Sequence, residues 1–194
     1  MSLESSMSLE ILSEFQKPFT WSYIVMNYDF DIIIKLIEST NLPIDQQDKF
    51  GHTLLYRAVD HCNINQFDLL MTLNPNVNCA DFIGSTPLML ACLRLNPYLV
   101  ENLLEKKADP NMTNNNNDTA LMMVCGTLMK FDDDILLKIV KLLVDYKAKL
   151  NVTNKSCTPL NLAIYTNKTI IVKYLLQFAE VKETMKENCL SITY

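Results

Sequence analysis

Gly84-Ser85-Thr86-Pro87-Leu88-Met89-Leu90-Ala91 decides the fold, because the chain repeats it at a nearly constant interval. Gly51-His52-Thr53-Leu54-Leu55-Tyr56-Arg57-Ala58 precedes it at an offset of 33, and Asn117-Asp118-Thr119-Ala120-Leu121-Met122-Met123-Val124 follows it at the same offset. A fourth copy, Ser156-Cys157-Thr158-Pro159-Leu160-Asn161-Leu162-Ala163, sets Thr158 at an offset of 39 from Thr119. Self-similarity at such a period is the mark of stacked helical repeats.

A second block travels with the first. Leu70-Met71, Leu103-Leu104, Leu143-Val144 and Leu175-Leu176 each close an apolar helical stretch. The first three are followed by a short polar segment ending in Asn78, Asn111 and Asn151. Stepping back by 33 from Thr53 reaches Thr20, with Ile34, Leu36 and Ile37 in the second-helix positions and Asp45 where Asn is expected. The expected organisation is therefore an N-terminal tail over 1–18 and an all-α solenoid over 19–194. Its five repeats run over about 19–50, 51–83, 84–116, 117–155 and 156–190. Met-Ser-Leu-Glu occurs at both Met1 and Met7, and the first copy reads as an expression remnant.

The block has a physical logic. Thr at a helix start accepts from a free backbone N–H, and Pro in the first turn gives up a donor that had no partner. The Leu and Ala that follow share one face, where a small residue lets a neighbouring helix approach. One helix pair cannot bury both of its faces, so stability requires stacking.

These residues resemble the ankyrin repeat family, whose signature is Gly-x-Thr-Pro-Leu-His-x-Ala, an Ile-Val-x-Leu-Leu helix, then Gly-Ala-Asp-x-Asn. Thr86-Pro87-Leu88, Ala91, Leu103-Leu104 and Ala108-Asp109-Pro110-Asn111 match it, as do Thr158-Pro159-Leu160, Ala163 and Ile171-Val172-Lys173-Tyr174-Leu175-Leu176. The resemblance implies helix–turn–helix repeats joined by β-hairpin-like loops. It also implies a concave groove, made by hairpin tips and first helices, that binds a protein. The signature His is replaced by Tyr56, Met89, Met122 and Asn161, and the helix-ending Gly by Asn41, Asn74, Lys107 and Lys147. Lys in that left-handed position costs roughly 1 kcal/mol, which predicts a moderately stable array.

One repeat breaks the ruler. Val124 to Ile139 is a step of 15 where Ala91 to Leu99 is a step of 8, an insertion of 7. The following hairpin, from Asn151 to Thr158, is one residue shorter than that from Asn111 to Thr119. The insertion, Gly126 to Asp134, is expected between the two helices of its repeat, away from the hairpin tips, as an extension of one helix.

Composition narrows the function. The chain has 194 residues, 49% of them hydrophobic, and a formal net charge of -5. Lys106-Lys107 is the only adjacent basic pair, so nucleic acid and anionic lipid are disfavoured. No apolar run reaches the roughly 18 residues of a membrane span, and the N-terminus lacks a signal-peptide pattern. Six scattered cysteines without a Cys-x-x-Cys pair, and only two histidines, argue against structural zinc. Five glycosylation sequons begin at Asn111, Asn117, Asn151, Asn154 and Asn167, but Thr119 is expected to be a helix cap. A reduced cytoplasmic compartment, or the nucleus, and a monomeric chain without cofactor or metal fit best.

Asp132-Asp133-Asp134 reads as a helix N-terminus rather than a metal cage. His61 and Cys62 are helix neighbours pointing about 100° apart, so no thiol–imidazole pair is expected. Cys92 and Cys125 share one repeat position where a small buried group is wanted, and Asn114 to Asn117 falls at a hairpin turn. No catalytic constellation emerges. The candidate contact residues are Lys49-Phe50, Phe82-Ile83 and Asn115-Asn116 at equivalent hairpin tips, with His52, Asp60, Ser85, Leu93, Asp118 and Tyr165 in the groove. The Phe rings either pack on adjacent hairpins or form an apolar contact strip. A regulatory subunit masking a basic partner, such as a transcription factor, is a special case of the same binding function.

Overall fold

The computed structural model describes residues 33–35, 37, 43–128, 131–154, 157–178 and 181. The 1–18 tail, the aromatic residues Phe19, Trp21 and Tyr23, the turn residue Asn41 and the polar end from Lys182 to Glu187 lie outside the described residues. Among the described residues eight helices with defined bounds follow one another in pairs: α1 (Leu54–Asp60) and α2 (Ile64–Thr72), α3 (Pro87–Leu93) and α4 (Pro97–Glu105), α5 (Ala120–Gly126) and α6 (Asp133–Asp145), α7 (Pro159–Tyr165) and α8 (Thr169–Leu175). The first helices α1, α3, α5 and α7 pack side by side in one row. Each also packs on its own second helix, and α4, α6 and α8 form part of the second row.

The helix starts follow from the repeated Thr. Thr53, Thr86, Thr119 and Thr158 each accept a hydrogen bond from the backbone N–H three residues on, at 3.1, 3.3, 3.4 and 3.1 Å. Pro87, Pro97 and Pro159 open their helices, where no donor is lost. Asn63, Asn96 and Asp132 cap α2, α4 and α6, and α8 begins after Lys168 without a side-chain cap.

The core is one continuous layer between the rows. Leu54, Ala58, Leu88, Ala91, Leu121, Val124, Leu160 and Ala163 supply the first row. Phe67, Leu70, Leu99, Leu103, Ile139, Leu143, Ile171 and Leu175 supply the second, all of them essentially sealed from solvent. Each fully buried aliphatic or Phe side chain contributes about 1.5–3 kcal/mol. Ile33, Ile34 and Ile37 join this core, so the apolar positions expected in the degenerate first repeat are buried where they are described. Cys92 and Cys125 fill matching positions, and burial pushes the Cys125 thiol up to about 12 and raises that of Cys92 also, which leaves both unreactive.

Successive pairs are stitched at the polar turn. Asp45 accepts from the Asn76 N–H at 2.9 Å, Asn78 from Asp109 at 2.9 Å and Asn111 from Lys149 at 2.7 Å. Asn78 and Asn111 also donate to the carbonyls of Lys107 and Lys147, at 3.3 and 3.0 Å. Asp45 therefore occupies the expected Asn position. Asn74, Lys107 and Lys147 take φ of 51°, 69° and 69°, the left-handed conformation the family reserves for Gly. The Asn bonds hold Lys107 and Lys147 there despite the steric cost.

In three pairs a three-residue turn joins the helices, with Cys62, Leu95 or Asn167 in the left-handed region at its centre. Between α5 and α6 that turn is replaced by Thr127 to Asp132, and Thr127 is extended. The second helix α6 has 13 residues where α2 and α4 have 9, so four inserted residues lengthen α6 and three lengthen the loop. Asp132 caps α6 by accepting from the Asp134 N–H at 2.9 Å, with Asp133 and Asp134 in the first turn. This agrees with the helix-start reading of the three acids. The shortened last hairpin is closed by a pair between Asn154 and Cys157, spanning one residue less than the Asn114–Asp118 pair.

Candidate protein-binding surface

Three successive hairpins are each built on one Asx side chain. Asp48 Oδ1 accepts from the N–H groups of Phe50 and His52 at 2.8 and 3.0 Å. Asp81 Oδ1 accepts from Ile83 and Ser85 at 3.0 and 2.8 Å, and Asn114 Oδ1 from Asn116 and Asp118, both at 2.9 Å. The three Asx residues are 33 apart and buried. The turn closes through a left-handed residue, Gly51, Gly84 or Asn117, with φ of 81°, 79° and 63°. Asn117 thus takes the Gly position with the side chain that best tolerates it.

The tips are bonded to one another. The Phe82 N–H donates to the Phe50 carbonyl at 3.2 Å and the Asn115 N–H to the Ile83 carbonyl at 3.0 Å. On this fixed ladder Phe50, Phe82 and Ile83 stand 49%, 65% and 64% exposed. Phe50 lies 5.6 Å from the His52 ring, and the Lys49 ammonium sits 5.1 Å from the Phe50 centroid. The Phe82 ring leans over Gly51, where an added Cβ would meet its Cδ1 at 2.7 Å. Both rings thus touch their hairpins while about half or more of each residue's surface remains in solvent. Asn115 and Asn116 are exposed at the next tip, so the apolar strip ends there.

Behind the strip, His52 stacks on Tyr56 at 4.4 Å, between the carboxylates of Asp48 (3.7 Å) and Asp81 (3.8 Å). The Tyr56 hydroxyl donates to Asp81 Oδ2 at 3.0 Å, and burial followed by the Asp81 charge raises its pKa. Tyr56 replaces the signature His and turns that position into a strut between successive hairpins. Burial, then the Arg57 charge, pulls the His52 imidazole below its ordinary pKa, against the opposing pull of Asp48, Asp81 and Asp60. Asp60 sits at the end of α1 and pairs with Arg57 at 3.2 Å and with the Arg94 guanidinium. Burial works to raise its pKa, but the Arg94 hydrogen bond and the two arginine charges hold it below the usual carboxylate range.

Leu93 and Asp118 meet around a shallow depression of about 220 Å³, floored by Met122, Met123 and Leu162 and closed on the hairpin side by Asn154. Asn154 donates its amide to Asp118. Ser85 is half-buried beside its hairpin. Tyr165 stands exposed at the end of α7, three helices along the row from α1. The structure therefore gathers Lys49, Phe50, His52, Phe82, Ile83 and Ser85 at one end, sets Leu93 and Asp118 mid-row and leaves Tyr165 apart. The hairpin Asx series escaped the sequence reading, though Asp48, Asp81 and Asn114 recur at the same interval of 33.

Among the described residues no three His, Cys, Asp or Glu side chains are placed to hold a metal ion, and no helix is long and apolar enough to cross a membrane. The family model for ankyrin repeats, in units of three copies, matches residues 21–114 and 94–185. Human transient receptor potential cation channel subfamily A member 1 is 26% identical over 161 residues, 81% of this chain and 14% of that protein. Rat oxysterol-binding protein-related protein 1 is 38% identical over 86 residues, 44% of this chain and 9% of its own length. An ankyrin repeat protein of Acanthamoeba polyphaga mimivirus is 29% identical over 160 residues, 79% of this chain and 20% of that one. The chain spans between 9% and 20% of the length of these relatives. Ankyrin repeats are generally protein–protein interaction modules, and by the extent of the match, the capped helix pairs and the hairpin ladder, this chain belongs to the ankyrin repeat family.

Proposed function

We propose that this chain is a non-enzymatic module, an array of five repeats with the outer two as caps, that binds a protein partner through its hairpin tips and inner helices. The observation that carries the reading is the exposed apolar strip of Phe50, Phe82 and Ile83, held on a ladder of backbone and Asx hydrogen bonds. A rigid, partly exposed aromatic pair forfeits little entropy on binding, which suits an anchor. Lys49, His52 and Ser85 flank the strip, Asn115 and Asn116 extend it as a polar edge, and Leu93, Asp118, Asp60 and Tyr165 complete the candidate groove. A reduced cytoplasmic or nuclear setting is in keeping with unreactive, buried Cys92 and Cys125.

The test is the double variant Phe50→Ala, Phe82→Ala, read for melting temperature and for capture of native-lysate proteins identified by mass spectrometry. Interface anchors lose at least ~2 kcal/mol on truncation, about thirtyfold in affinity. Lost capture with stability within about 0.5 kcal/mol supports the anchor. Retained capture with a melting temperature several degrees lower would show that the rings serve the hairpins alone.

A further inference from the structure

Apart from Ile164 and Tyr165 on α7, the largest apolar exposure away from the hairpins among the described residues lies in the inserted segment between α5 and α6. Leu128 is 80% exposed and Phe131 47% exposed. The other three described helix pairs turn with three residues; of the residues added here Leu136 enters the core, while Leu128 and Phe131 add apolar surface. Leu128 and Phe131 stay out of the core. A cavity of about 570 Å³ stays open between the inserted loop and the α7–α8 turn, with Leu128, Phe131 and Leu136 on one side and Thr166, Asn167 and Lys168 on the other. That volume falls within the roughly 300–1,000 Å³ of ordinary ligand pockets.

The loop is held in this open form. The buried Lys168 donates its ammonium to the Thr127 carbonyl, and Thr166 donates to the Cys125 carbonyl at 2.7 Å. Lys168, the one cation among the described residues of the cavity wall, is thereby bonded to the loop backbone, and it also lies within electrostatic reach of Asp133. At the rim, Asp132, Asp133 and Asp134 are all exposed, and none forms an ion pair among the described residues. From Gly126 to Asp134 the sequence carries these three carboxylates against Lys130 alone. Asp132 caps α6 and Asp133 feels the charge of Lys168.

We propose that this edge is a second docking surface, which takes a basic segment of a partner protein: an apolar side chain enters the cavity against Leu128, Phe131 and Leu136, and flanking lysine or arginine meets Asp132, Asp133 and Asp134. Unpaired like charges beside an open apolar cavity favour a partner of opposite sign and reject an acidic one. This surface is separate from the hairpin strip and stands whether or not the strip binds anything.

The test selects a displayed library of random peptides, each about a dozen residues long, against the full chain. The best binder is then synthesised and titrated onto the wild type and three variants. Enrichment of peptides with lysine or arginine beside leucine or an aromatic residue is expected. Binding should weaken about tenfold or more in Leu128→Ser with Phe131→Ser. It should also fall as salt rises from about 0.1 to about 1 M, where the Debye length shrinks from about 10 to about 3 Å. That salt dependence should be lost in the triple variant Asp132→Asn, Asp133→Asn, Asp134→Asn, in which the asparagine replacing Asp132 still caps α6. Phe50→Ala with Phe82→Ala should bind as the wild type does. The proposal is overturned by no enrichment, by enrichment of acidic or uncharged peptides, or by binding that survives Leu128→Ser with Phe131→Ser. Self-association of the wild type in sedimentation, abolished by those two serines, would overturn it in favour of a second copy as occupant.

Discussion

The hairpin edge and the helix-turn edge both expose large apolar side chains, and they do so on different foundations. Phe50, Phe82 and Ile83 rise from hairpins that recur with a period of 33, and each tip is bonded to its neighbour through the backbone. Leu128 and Phe131 belong to a loop that no other described pair possesses, anchored mainly by side chains of the following pair, Lys168 and Thr166. A periodic edge makes a surface by altering side chains on a constant backbone. The other edge makes one by altering the backbone, and that is open to it because α5 and α7 pack together without the turn. The comparison teaches where such an array accepts new surface: in side chains along the ladder, in length at the turn.

The strongest way to break this picture is to damage what both edges share. Leu103 in α4 is fully buried at the centre of the stack. Leu103→Ala should lower stability by about 2–5 kcal/mol in denaturant melts. Leu69, partly exposed on α2, should lose no more than about 0.5 kcal/mol when changed to Ala. Similar losses at the two positions would mean that the core does not run through the second-row helices as drawn.

Two glycines sharpen the contrast between the edges. Gly51 holds φ of 81°, and a Cβ there would stand 2.6 Å from the Phe82 nitrogen and 3.0 Å from the Asp81 carbonyl carbon. Gly51→Ala should cost at least about 1–2 kcal/mol from backbone conformation alone, and it must push one hairpin off the next. Gly126 ends α5, and a Cβ there meets only Leu162 methyls at 3.7 and 3.8 Å, an ordinary contact. Gly126→Ala should leave stability unchanged or raise it by about 0.4–1 kcal/mol. Paired melts of the two variants read the difference, and a loss at Gly126 as large as that at Gly51 would erase the distinction.

What the sequence made legible follows the same division. The period placed Thr53, Thr86, Thr119 and Thr158 at helix starts, and it located Asp45 as an Asn equivalent, because caps and stitches recur with the repeat. Counting residues also found the insertion and the shortened hairpin. It could not divide the seven inserted residues into four of helix and three of loop, since that split depends on where Asp132 finds a free N–H. Nor could it foresee that Asp60 pairs with Arg94 in the next repeat, because ion pairs between repeats depend on side-chain reach. The left-handed turns at Cys62 and Leu95 carried no Gly or Asn to announce them; Leu95 is buried, and its packing compensates the strain.

The smallest expected effect concerns His52, where the hairpin edge carries a titratable group between opposing influences. Two carboxylates, Asp48 at 3.7 Å and Asp81 at 3.8 Å, favour the charged imidazolium. Burial and the Arg57 charge favour the neutral ring, and they prevail, so the folded-state pKa lies below the ordinary 6.5. Nδ1 has no hydrogen-bond partner among the described residues, and its oriented neighbour Asp48 Oδ1 is already bonded to two N–H groups. The unfolded chain therefore binds a proton at this site at higher pH than the folded one does. Stability contributed by the neutral ring is full above about pH 6.5 and declines as pH falls through that value toward the lowered folded pKa. Denaturant melts of wild type and His52→Gln at several pH values between about 5 and 8 isolate this contribution, because the remaining carboxylates titrate in both. The wild type should lose stability relative to the variant on acidification. If it gains instead, Asp48 and Asp81 dominate, and the ring stacked on Tyr56 is a cation holding adjacent hairpins together.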